Sequence, residues 1–150
     1  MNIEELTEDE IEGATITLER GMCFGTCPVY RLTIHGDGVV EYEGKMYVKI
    51  KGKREYHIPR DRVISLLKIL SRVGFFSIAE EWSEIERVCR VEVTDMPSST
   101  ITASVSGEMW IVRYNYGMGC RSPRNRKLIT LEIVADIIDV LANSDSLVKI

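Results

Sequence analysis

The chain has 150 residues, 45% apolar and 28% charged, with a formal charge of −4. That is the composition of one globular domain with a full core, and it excludes a disordered chain or a disulfide-stapled miniprotein. No apolar run approaches the ~18 residues of a membrane span.

Residues 1–12 hold six acids and no bases, which predicts a solvated, partly ordered acidic leader ahead of one domain over residues 13–150. The start, MNIEELTEDEIEG, lacks the basic-then-apolar order of a signal peptide, so the expectation is a cytoplasmic protein. The remaining chain carries 19 bases against 17 acids, a balance that argues against non-specific nucleic-acid binding. No glutamine and 17 isoleucines lean towards a thermophilic source.

Alternation marks the strands. Ala14, Ile16 and Leu18 give the first; Tyr30, Leu32 and Ile34 the second; Val40 and Tyr42 the third, after a Gly36-Asp37-Gly38 hairpin turn. Met46, Val48 and Ile50 predict a fourth strand, which Lys51-Gly52-Lys53 turns back into Tyr56 and Ile58. The period then becomes helical. Val63, Leu66, Leu67, Leu70 and Val73 predict a helix over residues 61–73, stopped by Gly74. Residues 80–86 fit no period. Cys89, Val91 and Val93 predict a strand, as do Ile101, Ala103 and Val105. Gly107 turns the chain into Trp110, Val112, Tyr114 and Tyr116. A loop over residues 117–127 precedes a helix with Leu131, Val134, Ile138 and Leu141 on one face. The reading is α+β: an antiparallel sheet with two main helices on one face, a two-layer sandwich.

The segment with most chemistry is ERGMCFGTCPVY, residues 19–30. Extended, Cys23 and Cys27 would have Cα atoms ~13 Å apart, against a limit of ~7 Å for a disulfide. Gly25 and Pro28 instead predict a tight turn that brings the thiols within reach. Closing so short a loop stabilises by about 2 kcal/mol. Three readings stand: a structural pair ordering the turn, a redox or sensing thiol pair, and a metal site completed by Cys89 and Cys120. C-x₃-C is not the thioredoxin spacing, and Cys89 and Cys120 are isolated singles rather than a second metal-binding pair.

Arg20, Cys23, Gly25, Cys27, Pro28, Tyr30, Gly36, Gly38 and Gly44 form the pattern R-x-x-C-x-G-x-C-P-x-Y…G-x-G…G. In this the chain resembles the domain of unknown function 6438 family. The similarity extends to Gly74-Phe75-Phe76 and to Asp95-x-Pro97, thins after Gly107, and covers about two thirds of the sequence. The resemblance implies the fold and the turn motif of Arg20, Gly25, Pro28 and Tyr30, but no activity, substrate or cofactor. Many relatives are exported or lipid-anchored, which implies an oxidised Cys23–Cys27 pair; the opening residues here do not read as a signal peptide, so the expectation departs from them on export.

Outside that motif, Arg121, Arg124, Arg126 and Lys127 precede the last helix with no acid between Glu108 and Glu132, an anion-binding candidate. Lys49, Lys51, Lys53 and Arg54, with Tyr47, Tyr56 and Tyr116, would extend it into a basic, aromatic patch if the two segments shared a face. No catalytic residue, cofactor signature or metal-ligand set is legible, and His35 and His57 read as surface residues. The leading expectation is therefore a non-enzymatic module binding a protein partner, or a second copy, through an edge strand or sheet surface, with strand tyrosines as anchors. Thiol redox chemistry at Cys23 and Cys27 is the first alternative, and anion or nucleic-acid binding the second.

Overall fold

The computed structural model describes residues 1–23, 25–88, 90, 91, 98–115, 118, 119 and 124–150. Its strands are β1 (Thr15–Arg20), β2 (Val29–His35), β3 (Val39–Met46), β4 (Gly52–His57), β5 (Arg90–Val91), β6 (Ser98–Val105), β7 (Glu108–Asn115) and β8 (Met118–Gly119). Six of them form one antiparallel sheet in the order β4-β3-β2-β1-β6-β7, and β5 pairs with β8 apart from it. The predicted strand through Cys89 and Val93, together with Asp95, Pro97, Tyr116 and Cys120, lies largely outside the described residues.

Period-two burial gives the sheet two unlike faces. The inner face is built in rows across the strands. Tyr42, Leu32, Leu18, Ile101 and Val112 form one row, and Val40, Ile34, Ile16, Ala103 and Trp110 the next. All ten are buried. Helices α2 (Arg60–Arg72) and α5 (Arg124–Leu141) cover this face and pack on each other. They contribute Val63, Leu66, Leu67 and Leu70 from one, and Leu131, Val134, Ala135 and Ile138 from the other. The α+β two-layer reading stands.

Two short helices follow, α3 (Phe75–Glu80) and α4 (Trp82–Val88), and residues 80–86, which fitted no period, span the junction between them and most of α4. The Trp82 indole donates to the Arg113 carbonyl of β7 at 2.9 Å, which ties this corner to the sheet edge. The acidic leader contains a 3-10 turn over Ile3–Glu5 and helix α1 (Glu8–Glu12), entered through a reciprocal cap between Thr7 and Glu10. Its Ile3 and Ile11 are buried, so the leader supplies core as well as charge.

One expected strand is absent. β3 runs on to Met46, and residues 47–51 then bend away from the sheet. Tyr47 takes a positive φ of 54°, and the Lys49 and Ile50 amides donate to the Val148 and Leu147 carbonyls at 3.1 and 2.9 Å. Both carbonyls belong to α6 (Asp145–Val148). Met46 therefore ends β3, paired with Val29 of β2, and the stretch through Val48 and Ile50 pairs with the C-terminal segment in place of a neighbouring strand. Gly44 makes the bend fit: a Cβ there would collide with the Ile50 carbonyl and the Tyr42 hydroxyl, which bond to each other at 2.7 Å.

Candidate functional site

The third row of the inner face is polar. Gly44, Tyr30, Arg20, Ser99 and Tyr114 are aligned across β3, β2, β1, β6 and β7. The inward positions that carry mostly apolar side chains in the first two rows here carry hydrogen-bonding groups, and these meet α5. On that helix Glu132, Asp136 and Asp139 recur at i, i+4 and i+7, a spacing that puts three carboxylates along one stripe.

Arg20 is the hub. Its Nη1 donates to Glu132 Oε1 at 3.1 Å and Ser99 Oγ at 3.3 Å; its Nη2 donates to Asp136 Oδ1 and Asp139 Oδ2, both at 3.1 Å. The Tyr30 hydroxyl lies 2.8 Å from each Asp139 oxygen, and Ser144 Oγ donates to Asp139 Oδ1 at 2.7 Å. Tyr114 donates to Glu132 Oε2 at 2.9 Å. The Arg20 and Asp139 side chains are each 14% exposed, whereas Asp136 is largely in solvent. Burial raises the Tyr30 pKa well above the ordinary phenol value, and the adjacent Asp139 charge raises it further, so Tyr30 is held as a neutral donor. A charge-assisted network of this kind clamps the ends of β1, β2 and β7 to α5.

The cysteine turn sits directly above. Cys23 and Cys27 are at disulfide-bonding distance, with Cα atoms 5.8 Å apart. Gly25 between them has φ 145°, a region that side chains disfavour. Cys27 and Pro28 join Arg20, Tyr30, Glu132 and Val148 around a cleft of about 280 Å³. Of the four motif residues expected to form the turn, Gly25 and Pro28 lie in it, and Arg20 and Tyr30 are the register-paired strand residues at its two ends.

The anion-binding candidates are not brought together with this site. Lys127 Nζ pairs with Glu81 at 3.0 Å and Arg126 is exposed on α5. The side chains of Arg121 and Arg124 lie outside the description. The β4 basic residues Lys53 and Arg54 stand at one edge of the sheet, whereas Glu81, the partner of Lys127, adjoins Trp82 at the opposite edge. Tyr56 does not join a surface patch either: its hydroxyl bonds the Ala142 carbonyl. Tyr30, Tyr42 and Tyr114 are buried. These four strand tyrosines are therefore internal tethers rather than surface anchors, and Tyr116 lies outside the described residues. Among the described residues, no three His, Cys, Asp or Glu side chains are grouped to hold a metal ion, and no helix is long and apolar enough to cross a membrane. Cys89 and Cys120 lie outside the described residues.

Sequence reasoning missed Ser99, Tyr114, Glu132, Asp136, Asp139 and Ser144. The one signal in the chain was the i, i+4, i+7 run of acids flanking the core face of the last helix.

A family model described as a domain of unknown function (DUF6438) matches residues 14–133. The chain belongs to the DUF6438 family. The match runs past Gly107, where the similarity read from the residues thinned, and continues through β7 into α5. It therefore takes in Arg20, the cysteine turn, Tyr30, Ser99, Tyr114 and Glu132, and ends before Asp136 and Asp139. No curated protein matches the chain.

Proposed function

We propose that this DUF6438 chain is a non-enzymatic protein-interaction module whose cysteine turn is structural. The observation that carries the reading is the outer face of the sheet, against which no described helix packs. At its β7 border, Met109 and Ile111 stand two residues apart on the same face, 63% and 52% exposed. Towards β4 the same face forms a depression of about 520 Å³ with Arg31 and Lys53 set among Glu41, Glu43 and Glu55. An apolar pair beside charges of both signs is a surface suited to a folded protein partner. Edge pairing is the weaker route. β4 presents Lys53, Arg54 and Glu55, which discourage strand addition, and Trp82 occupies a β7 carbonyl.

The test is a photo-reactive residue at Ile111, compared in the protein's own cells with one at exposed Arg72 on α2. The reading expects one dominant adduct from Ile111 alone, lost on Met109→Glu. Equal labelling from both positions refutes it.

One observation favours a second reading, thiol–disulfide exchange: Cys27 borders the cleft that also contains Arg20. The reduction potential separates the two. A structural pair falls below about −300 mV, and an exchanging pair lies well above it.

A further inference from the structure

Helix α5 has two apolar faces. Leu131, Val134, Ala135 and Ile138 are fully buried against the sheet and α2. Ile129, Ile133 and Val140 point the other way and are 56%, 50% and 65% exposed, with half-buried Ile137 between them. Steps of four, four and three residues set these four side chains in one stripe along the helix. A helix on the surface of a lone domain needs one apolar stripe. The second predicts something packed against it.

Charge names the occupant. The first turn of α5 carries Arg124, Arg126 and Lys127; Glu132, Asp136 and Asp139 follow, and Asp145 begins α6. Bases at a helix N-terminus and acids towards its C-terminus run against the helix dipole, so the order is not explained within one helix. Arg20 answers the three acids and Glu81 answers Lys127. Arg126 lies on the outward stripe, and no carboxylate among the described residues pairs with it. An antiparallel copy of the same helix brings basic ends to acidic ends twice, by symmetry.

We propose that α5 pairs antiparallel with α5 of a second copy, about a two-fold axis at Ile133. That register sets Ile133 on its own copy, Ile129 on Ile137, and Arg126 against Val140. Beside Val140 lies a depression of about 350 Å³ lined by Asp139, Val140, Asn143, Asp145 and Ser146. Asp139 is held by Arg20, Tyr30 and Ser144, so the group left for an incoming guanidinium is the exposed Asp145 carboxylate, whose present pair is the solvent-exposed Lys149 at 3.3 Å. The helix is ~27 Å long, so a single helix pair gives an interface at the small end of the stable range and a dimer that dissociates on dilution. The surface is distinct from the outer sheet face, so either assignment can fail without the other.

Sedimentation velocity of the full chain over a wide concentration range tests the pairing. A monomer–dimer equilibrium is expected in the parent. Ile133→Glu removes it while far-UV dichroism and the melting temperature are kept. Arg126→Glu, at an exposed site where folding is not at risk, weakens it at least tenfold, and adding Asp145→Arg recovers most of that loss. A parent that stays monomeric throughout overturns the proposal, as does a dimer indifferent to Ile133→Glu or a charge swap without rescue. Vesicles of anionic lipid are included as a probe: vesicle binding lost with Ile133→Glu, without self-association, assigns the stripe to a membrane surface and also overturns it.

Discussion

Replacing Arg20 by leucine should destabilise the fold by about 3 kcal/mol. The guanidinium leaves its carboxylate partners in unequal surroundings. Asp139 is 14% exposed and keeps only Tyr30 and Ser144 as donors. Removing one partner of a buried ion pair costs about 3–5 kcal/mol, because the other charge stays desolvated. Glu132 is a third exposed and retains Tyr114, so its loss is below about 1 kcal/mol. Asp136 is solvated and loses little. The leucine recovers part of the sum by burying apolar surface. In urea, with a slope of about 2 kcal/mol per molar, the midpoint falls by about 1.5 M. The melting temperature falls by about 6–12 °C for a chain of this size. Asp139→Asn, which keeps a group able to meet Tyr30 and Ser144, supplies the cycle. In combination with Arg20→Leu it should cost at least about 1 kcal/mol less than the sum of the two singles. Arg20→Lys keeps the charge but not the fork that reaches several carboxylates at once, and should fall between parent and Arg20→Leu. An Arg20→Leu midpoint within experimental error of the parent, or an additive cycle, refutes the clamp.

Cys23→Ser with Cys27→Ser should remain folded and lose about 2 kcal/mol in urea unfolding, since the pair closes a loop with a sequence separation of only four; loss of the native dichroism in the double variant contradicts that account. Alkaline pH should destabilise through the tyrosines. Burial first, then Asp139 and Tyr42, push the Tyr56 pKa from 10.0 up to about 12. A folded pKa above the unfolded one means that its stabilising contribution is complete below about pH 10 and is lost as pH rises to about 12. Unfolding free energies measured across that window should fall, and Tyr56→Phe should flatten the slope. Gly44→Ala should cost more than about 2 kcal/mol, because its Cβ meets the Ile50 carbonyl and Tyr42 hydroxyl and breaks their bond; a parent-like urea midpoint would show that the bend yields.

Most of the fold was legible because its core obeys simple periods. Leu18, Leu32 and Ile101 alternate with polar neighbours, and Leu66, Leu67 and Leu70 recur at helical spacing. Val48 and Ile50, alternating on from Met46, misled because alternation reports two-sidedness, not the identity of the neighbour. Here the neighbour is the carbonyl row at Leu147 and Val148, about a hundred residues away. The site was half legible. Arg20 and Tyr30 stood out in a pattern with the cysteines, yet their partners Glu132 and Asp139 looked like the solvated acids of any surface helix. Only the sheet register, which puts Arg20 opposite Tyr30 and Ser99 on the inward face, distinguishes them. The tyrosines failed as surface anchors for the same reason: period two separates the faces without saying which one the helices cover.

The polar row resolves an ambiguity that the apolar pattern of α5 creates. Turned half-way about its axis, α5 would still bury an aliphatic stripe, Ile129, Ile133, Ile137 and Val140 in place of Leu131, Val134, Ala135 and Ile138. Area alone discriminates weakly between two such faces. Hydrogen bonds discriminate sharply, because a buried donor without its acceptor is penalised. In the turned helix the acids would lie on the opposite flank, and Arg20, Tyr30 and Tyr114 would face the sheet–helix boundary without these carboxylates. Tyr42 and Tyr56 bind the carbonyls of Ile50, Leu147 and Ala142, so they anchor the segment that follows α5 in the same sense. The Arg20–Tyr30 pair of the cysteine motif thus selects which apolar stripe of α5 becomes core and which stays exposed. On this account the motif, at the far end of the chain from α5, determines which face that helix turns outward.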